Sequence, residues 1–573
     1  LINPDRQLGN DSPNWLWWSY AVLGGLLLYR LAYIASGLTE LSQDEALFWL
    51  QSKHLALSYY SKPALTACTQ FLGTAIWGDN AFGVRFFAPV FSAIIGLFCL
   101  RFCAREINPR FGFVVTLIGN AIPLLIVGSN LMTIDPLSVM FWMAATVAGW
   151  RAVQPDGTTR HWLWVGLWMG FGFLSKYTEL FQWLCWAVFF WLWRPARLHL
   201  RRPGPYLALL VNVVLAAPVL VWNAQNHWVT VFHVGGRADF SHTFDFTLRY
   251  FGEFLGSEFG LLNPVFFVGM VWAGVAMWRM QPRDPRMVYF FSMGMPLVFA
   301  YLLQSFHARV LPNWIAPAVL PFLFVMVLYW DQYRQRPWIR RSYYSGLILG
   351  LAAMIFLTDT DLTKVVTGRY LPMSIDPLRR LRGWQSTADV VNEARLNLLK
   401  AGKPVFIICP DYASTSEVTF YLPEARAAVP GQPIVYCWGA EQPITEFHFW
   451  PEYQFWRRTG DNAIYVKLIQ LVAGTSSPKT VSESPPEDLK RRFRSVKYLG
   501  LFHGDFRGRP VRYFQLFECL DQLPVTVSKN NKSTSVGADR VSSNNPATAN
   551  ACLGSVLPWL LEPDIARANP LLS

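Results

Sequence analysis

The stretch from Ser42 to Leu65, SQDEALFWLQSKHLALSYYSKPAL, places the acidic pair Asp44 and Glu45 upstream of Lys62 in one short segment. A carboxylate at such a position can take a proton from a sugar or lipid hydroxyl. A lysine held in the neighbourhood of Tyr59, Tyr60 and Pro63 can receive the charge of a phosphate leaving group. Those two functions together outline a glycosyl-transfer site at the boundary of membrane and water.

Composition places this segment in a membrane protein. The 573 residues are 53% hydrophobic and only 15% charged, with 26 Trp and a mean hydropathy of +0.24, whereas soluble domains carry about a quarter charged residues. The net charge of +13 does not point to nucleic acid, because most arginines fall in short loops on one side of the bilayer. Apolar runs predict about eleven transmembrane helices, near 15–37, 81–103, 111–128, 131–150, 161–175, 178–194, 206–223, 261–280, 288–304, 313–331 and 342–358.

With the N-terminus cytoplasmic, the inside loops hold Arg101, Arg105 and Arg110, then Arg151 and Arg160, then Arg194, Arg197, Arg201 and Arg202. Arg279, Arg283 and Arg286 follow, and finally Arg334, Arg336, Arg340 and Arg341. Every basic loop then obeys the positive-inside rule. The outer side receives Asp44, Glu45 and Lys62, then Ser129–Asp135, Ser175–Tyr177, His227–Arg237 and Ser305–Arg309. Convergence of these segments on one outward-facing cavity is the expectation, since charges at membrane depth are costly and often functional. No small-residue cleavage site follows the first span, which reads as a retained anchor.

The core is expected over 1–358 and an extracytoplasmic α/β domain over 359–520. Short β-rich runs, VFIIC (Val405–Cys409), PIVYC (Pro433–Cys437), AIYVKL (Ala463–Leu468) and VRYFQLFE (Val511–Glu518), follow a helical face of Trp384, Ala388, Val391, Ala394 and Leu398. Residues 521–573 are Ser/Asn-rich and expected to be a disordered tail. The apolar run at Leu557–Leu561 is too short to span. Among eight cysteines, Cys99, Cys103 and Cys185 read as core residues, while Cys409 and Cys437 are open between a disulfide and strand-core thiols. No spacing suggests zinc.

Each candidate also has a plain structural reading. Ser42 and Glu45 match a capping box, so Glu45 can serve only its helix, and Asp44 is favoured in a first helical turn by the dipole. Lys62 can snorkel, and Asp135 before Pro136 can be an N-cap. Arg237 follows Gly235-Gly236, a flexible lead-in for anion binding or an ordinary loop, and His233 is more often structural than a metal ligand. Asp359-Thr360-Asp361 has a D-x-D form without strand context and is set aside as chance. Gly166 and Gly170 fit close helix packing.

The segments DEALFWL, YYSKPAL, MTIDPLSVMFW (Met132–Trp142), GFLSKYT (Gly172–Thr178) and PNWIAPA (Pro312–Ala318), in this order over roughly residues 15–330, resemble the bacterial branch of the GT-C membrane glycosyltransferases. That branch includes protein O-mannosyltransferase-like proteins and the aminoarabinose transferases that modify lipid A. The resemblance implies a GT-C helical core with an outer α/β domain, Asp44 as catalytic base and Lys62 on the donor phosphate. Arg237 would be a second phosphate ligand, while Asp135 and Lys176 lie in recurrent motifs without an assigned role. Two departures stand out: Ala64 replaces the usual second proline, and Ser61 replaces the acid common in aminoarabinose transferases, which speaks against that sugar and against a metal there. Arg309 stands near a frequent lysine of that branch.

The implied partners are a sugar on polyprenyl phosphate in the bacterial inner membrane and a lipid, glycan or protein acceptor, with no nucleic acid. No cofactor is established by the sequence, a divalent cation being the one candidate. One base and a phosphate-holding cation suffice for an inverting displacement, whereas glycoside hydrolysis needs two carboxylates. A transporter or flippase of lipid-linked sugars would carry internal repeats and broken helices at the midplane. A non-catalytic scaffold on the same core would leave Asp44 dispensable.

Overall fold

The computed structural model describes residues 14–237, 246–441 and 443–524, and close Cα packing divides the chain into two units. The first comprises residues up to Leu38 together with Lys62–Asp359, and the second joins Thr39–Ser61 to the chain from Thr360 onward. The segment bearing Asp44 was expected within the 1–358 core. It packs instead as part of the C-terminal domain.

The first unit is helical. Its elements are α1 (Trp15–Ala35), α3 (Leu65–Trp77), α4 (Ala81–Arg85), α5 (Phe87–Glu106), α6 (Pro109–Gly119), α7 (Pro123–Gly128), α8 (Ile134–Ala152) and α9 (Thr159–Phe173). They continue as α10 (Phe181–Leu192), α11 (Gly204–Gln225), α12 (Val229–Arg237), α13 (Leu248–Leu261), α14 (Pro264–Ala276), α15 (Pro285–Gln304), α16 (Ala316–Gln332) and α17 (Pro337–Thr358), with α2 (Gln43–Lys53) belonging to the second unit. Among the described residues, six helical stretches are long and apolar enough to cross a membrane, and α13 with α14 forms a further pair bent by 110°.

Sequence chemistry sets these helix ends. Asn14, Asn108 and Thr133 accept from the backbone N–H of Trp17, Phe111 and Asp135 respectively. Arg30, inside the first span, is buried but donates to Ser92 Oγ at 2.9 Å and Asn120 Oδ1 at 2.7 Å, so its charge is hydrogen-bonded rather than stranded. Gly166 and Gly170 let α9 and α11 touch. A Cβ at Gly166 would lie 2.4 Å from the Ala208 carbonyl oxygen, and one at Gly170 would lie 2.3 Å from Leu215 Cδ1.

The second unit is built on a five-stranded sheet in the order β2-β1-β3-β5-β4, with β1 (Val405–Cys409), β2 (Val435–Cys437), β3 (Asn462–Ile469), β4 (Phe493–Phe506) and β5 (Arg509–Gln522). The first three strands are mutually parallel, while β5 pairs antiparallel with both β3 and β4. Its flanking helices are α18 (Leu362–Thr367), α19 (Trp384–Leu399), α20 (Tyr412–Tyr421), α21 (Pro423–Ala427) and α22 (Glu487–Arg492). Both sheet faces are covered, so β1 is buried along its whole length. Ile407, Val466 and Leu516 pack under Val391 and Val418 on one face, and Phe406, Ile408 and Phe517 form a second cluster on the other. Cys409 and Cys437 face each other in the β1–β2 register as buried thiols.

Residues 39–61 are woven into this domain. Leu41 N–H donates to the Tyr421 hydroxyl at 2.6 Å, and the Trp49 ring meets Phe420 edge-on at 5.0 Å. Gly383, the N-cap of α19, has no side chain to accept from the first turn. Glu40 supplies that acceptor, taking the N–H groups of Trp384 and Gln385 at the positive end of the helix.

Candidate active site

In the helical unit, three of the recurrent sequence segments meet in one buried polar cluster. Thr133 caps α8, which corrects the N-cap reading of Asp135 and leaves that carboxylate in the first helical turn, turned into the unit. Lys176, in the turn after α9, donates to Asp135 Oδ1 at 2.8 Å and to the Asn313 carbonyl oxygen at 3.2 Å. Asn313 Nδ2 donates to Asp135 Oδ2 at 2.8 Å. Both carboxylate oxygens are thus occupied, and all three side chains are buried. Sequence reading named Asp135 and Lys176 but missed Asn313, whose only signal was its place in PNWIAPA.

A fourth segment is tied to the same cluster. Leu65 N–H donates to the Leu174 carbonyl at 3.1 Å, and Gln70 Nε2 to the Met132 carbonyl at 2.9 Å. Lys62, three residues before Leu65, is half-buried. Two further buried carboxylates carry no sequence signal. Glu179 accepts from Ser138 Oγ, and Glu258 on α13 has no hydrogen-bond partner for either oxygen among the described residues.

The remaining candidates of this unit are Arg309, His233 and Arg237. Arg309 pairs with Glu253 of α13 at 3.5 Å, and Arg249 reaches the other oxygen of Glu253 at 3.0 Å. The segment from His227 to Arg237, expected as a loop with a flexible Gly235-Gly236 lead-in, is mostly the helix α12. His227 and Trp228 make the turn before it, at φ of 55° and 59°. His233 is half-buried on α12 and Arg237 is its last residue, with a side chain outside the described part of the structure.

In the second unit, α2 presents Asp44 and Glu45 in its first turn. Glu45 Oε2 accepts from Ser42 N–H at 2.9 Å while Ser42 Oγ accepts from Glu45 N–H at 3.3 Å, a complete capping box. Glu45 is buried and committed to its helix, whereas Asp44 is half-buried. The Tyr59 hydroxyl donates to the carbonyls of Gln51 and His54 at 2.9 and 3.2 Å, closing the end of α2. Tyr60 N–H donates to Glu446 Oε2 at 2.7 Å and its ring stacks on Phe449. The His54 ring stacks on Trp450 at 4.4 Å, and its Nδ1 lies 3.1 Å from Glu452. Burial holds the His54 pKa below the usual imidazole range, with the Glu452 charge opposing that shift.

The D-x-D match is structural. Asp361 pairs with Arg382 at 3.3 Å, with Arg507 at 3.0 Å and with Arg509, while Thr360 donates to Asp376, a carboxyl whose pKa burial raises against the opposing charge of Arg382. Among the described residues, no group of three or more His, Cys, Asp or Glu is placed to hold a metal.

Residues 61–222 match the family described as dolichyl-phosphate-mannose-protein mannosyltransferase. The chain is 27% identical over 391 residues to a lipid A galacturonosyltransferase, RgtD, of Rhizobium johnstonii, covering 67% of this chain and 78% of that protein. It is 25% identical over 423 residues to an undecaprenyl phosphate-alpha-4-amino-4-deoxy-L-arabinose arabinosyl transferase of Pseudomonas fluorescens, covering 68% and 72%. Its fold is shared with ArnT from Cupriavidus metallidurans bound to undecaprenyl phosphate, at a TM-score of 0.59 and 14% identity over 88% of this chain and 98% of that one. The protein is a membrane glycosyltransferase of the GT-C superfamily. Within it, the chain is similar to the aminoarabinose and lipid A transferases.

Proposed function

We propose that this chain moves a sugar from a polyprenyl-phosphate donor to a hydroxyl or phosphate of a lipid acceptor on the outer face of the bacterial inner membrane, inverting the anomeric carbon. The observation that carries this reading is the convergence of four separated segments on the Asp135–Lys176–Asn313 cluster, with Lys62 at the edge of the segment tied to it. A buried, hydrogen-bonded cluster of this kind fixes the backbone that presents neighbouring groups. The activities of RgtD, a lipid A galacturonosyltransferase, and of the undecaprenyl phosphate-aminoarabinose arabinosyl transferases support donor and acceptor class. The core is read with about eleven spans, the N-terminus inside and the second unit outside.

In this mechanism the Asp44 carboxylate takes the acceptor proton as the acceptor oxygen attacks C1 of the sugar. The bond from C1 to the phosphate oxygen breaks, and Lys62 with Arg237 receives the charge of the departing polyprenyl phosphate. Glu45 contributes by capping the helix that holds Asp44. Ser61 offers no carboxylate toward an aminosugar, which makes an acidic sugar the first donor to test. Purified protein incubated with radiolabelled polyprenyl-phosphate sugars, acidic and amino, and a phosphorylated glycolipid is expected to label the lipid fraction. No labelled lipid with any donor, or label in protein alone, would refute the proposal.

A further inference from the structure

The chain between α2 and Lys62 has no helix or extended strand to satisfy its backbone, yet Ser58, Tyr59 and Tyr60 are buried. Buried N–H groups need acceptors. The acceptor for Tyr60 comes from a distant segment, Glu446–Tyr453, whose sequence EFHFWPEY sets two acids among aromatic residues. Glu446 Oε2 takes the Tyr60 N–H at 2.7 Å and faces Gln51 Nε2 at 3.5 Å, while Phe449 and Trp450 stack on Tyr60 and His54. Glu446 therefore bridges the last turns of α2 and the residue two positions before Lys62.

We infer that Glu446 is a positioning residue for donor binding, holding the Tyr60–Ser61–Lys62 backbone in the one conformation that presents the lysine to the donor phosphate. This inference rests on the role given to Lys62 under Proposed function. The carboxyl is enclosed, and burial pushes its pKa up to about 8 against the opposing hydrogen bonds from Tyr60 and Gln51. At neutral pH the group is thus mostly protonated and still accepts the Tyr60 N–H. Gln51 Oε1 has no hydrogen-bond partner among the described residues, and turning that amide over would let it accept the Glu446 proton. The facing ionisable pair, His54 and Glu452, is engaged with itself. A glutamine at 446 can serve the Tyr60 N–H in the same way, whereas a smaller apolar side chain leaves it buried and unpaired.

The test is affinity for undecaprenyl phosphate, measured on the full chain in detergent, together with donor KM and kcat. Glu446→Ala is expected to weaken binding and raise donor KM by about tenfold or more, the cost of leaving the buried Tyr60 N–H without an acceptor, while kcat changes much less. Glu446→Gln should bind within about threefold of the parent. If Glu446→Ala gives no monodisperse protein, Glu446→Asp, a methylene shorter, carries the same expectation at smaller size. Parental binding by Glu446→Ala or Glu446→Asp, or a glutamine variant as weak as alanine, overturns the inference. Lys62→Ala, measured alongside, separates the two levels: parental binding there fails the donor-phosphate reading itself, and this inference with it.

Discussion

Replacing Lys176 with methionine keeps an unbranched apolar stem and removes the ammonium that Asp135 faces at 2.8 Å. The two side chains are 7% and 8% exposed, so solvent cannot take over the lost bond. Asp135 would retain the Asn313 amide as its side-chain donor among the described residues. Breaking a buried pair from one side costs about 3–5 kcal/mol, a large part of a usual stability of about 5–15 kcal/mol. Asp135→Asn strands the lysine and should cost about as much. Asp135→Asn with Lys176→Met removes both charges and should cost less than either single change, giving a favourable coupling of about 2 kcal/mol or more. Because unfolding of such a protein is commonly irreversible, the readout is a thermal midpoint in detergent at one fixed scan rate. Each single variant should fall by several degrees and the double variant should recover most of the loss. Single variants with a parental midpoint and abolished transfer would show that the pair acts in chemistry rather than in architecture. A double variant worse than both singles would refute the pairing argument.

Asp44→Asn keeps shape but cannot accept a proton, so transfer should fall about a hundredfold or more; Glu45→Gln, still able to cap, should lose far less, and the reverse order would reassign the base. Lys62→Ala should weaken undecaprenyl phosphate binding by about 1.5–3 kcal/mol, and unchanged affinity would remove it from the site. Cysteines placed at Ser61 and Lys400 should react with an impermeant reagent on intact cells, and reaction only after lysis would overturn the topology. Glu446, raised from 4.5 to about 8, binds its proton more tightly folded than unfolded, so its stabilisation is complete below pH 4.5 and lost as pH rises through about 8. The thermal midpoint should decline across that window, and Glu446→Gln should decline less; an identical slope would refute the assignment.

Much of the architecture was legible because the signals are local. A helix lies at each apolar run, although among the described residues only six stretches, or seven with the bent pair, are long and apolar enough to cross a membrane, and short β-rich runs mark β1, β2, β3 and β5. β4 was missed because FRSVKYLGLFHGDF mixes charge and glycine through a strand that is largely half-exposed. The helix α12 was read as loop because Gly235-Gly236 weakens its helical signal.

What the sequence determined by itself was the order of motifs and the chemistry open to them: an acid pair, a lysine before proline, and the capping box that commits Glu45. Tertiary structure alone decided which groups meet. Asp135, Lys176 and Asn313 are up to 178 positions apart, and Tyr60 and Glu446 are 386 apart. No periodicity encodes such pairings, because a buried charge or N–H takes whichever partner the packed backbone brings within hydrogen-bond distance. For the same reason the Asp44 segment, contiguous in sequence with the helical core, is packed with the C-terminal domain: Trp49, Tyr60 and Glu40 find their partners on Phe420, Glu446 and the open N-terminus of α19.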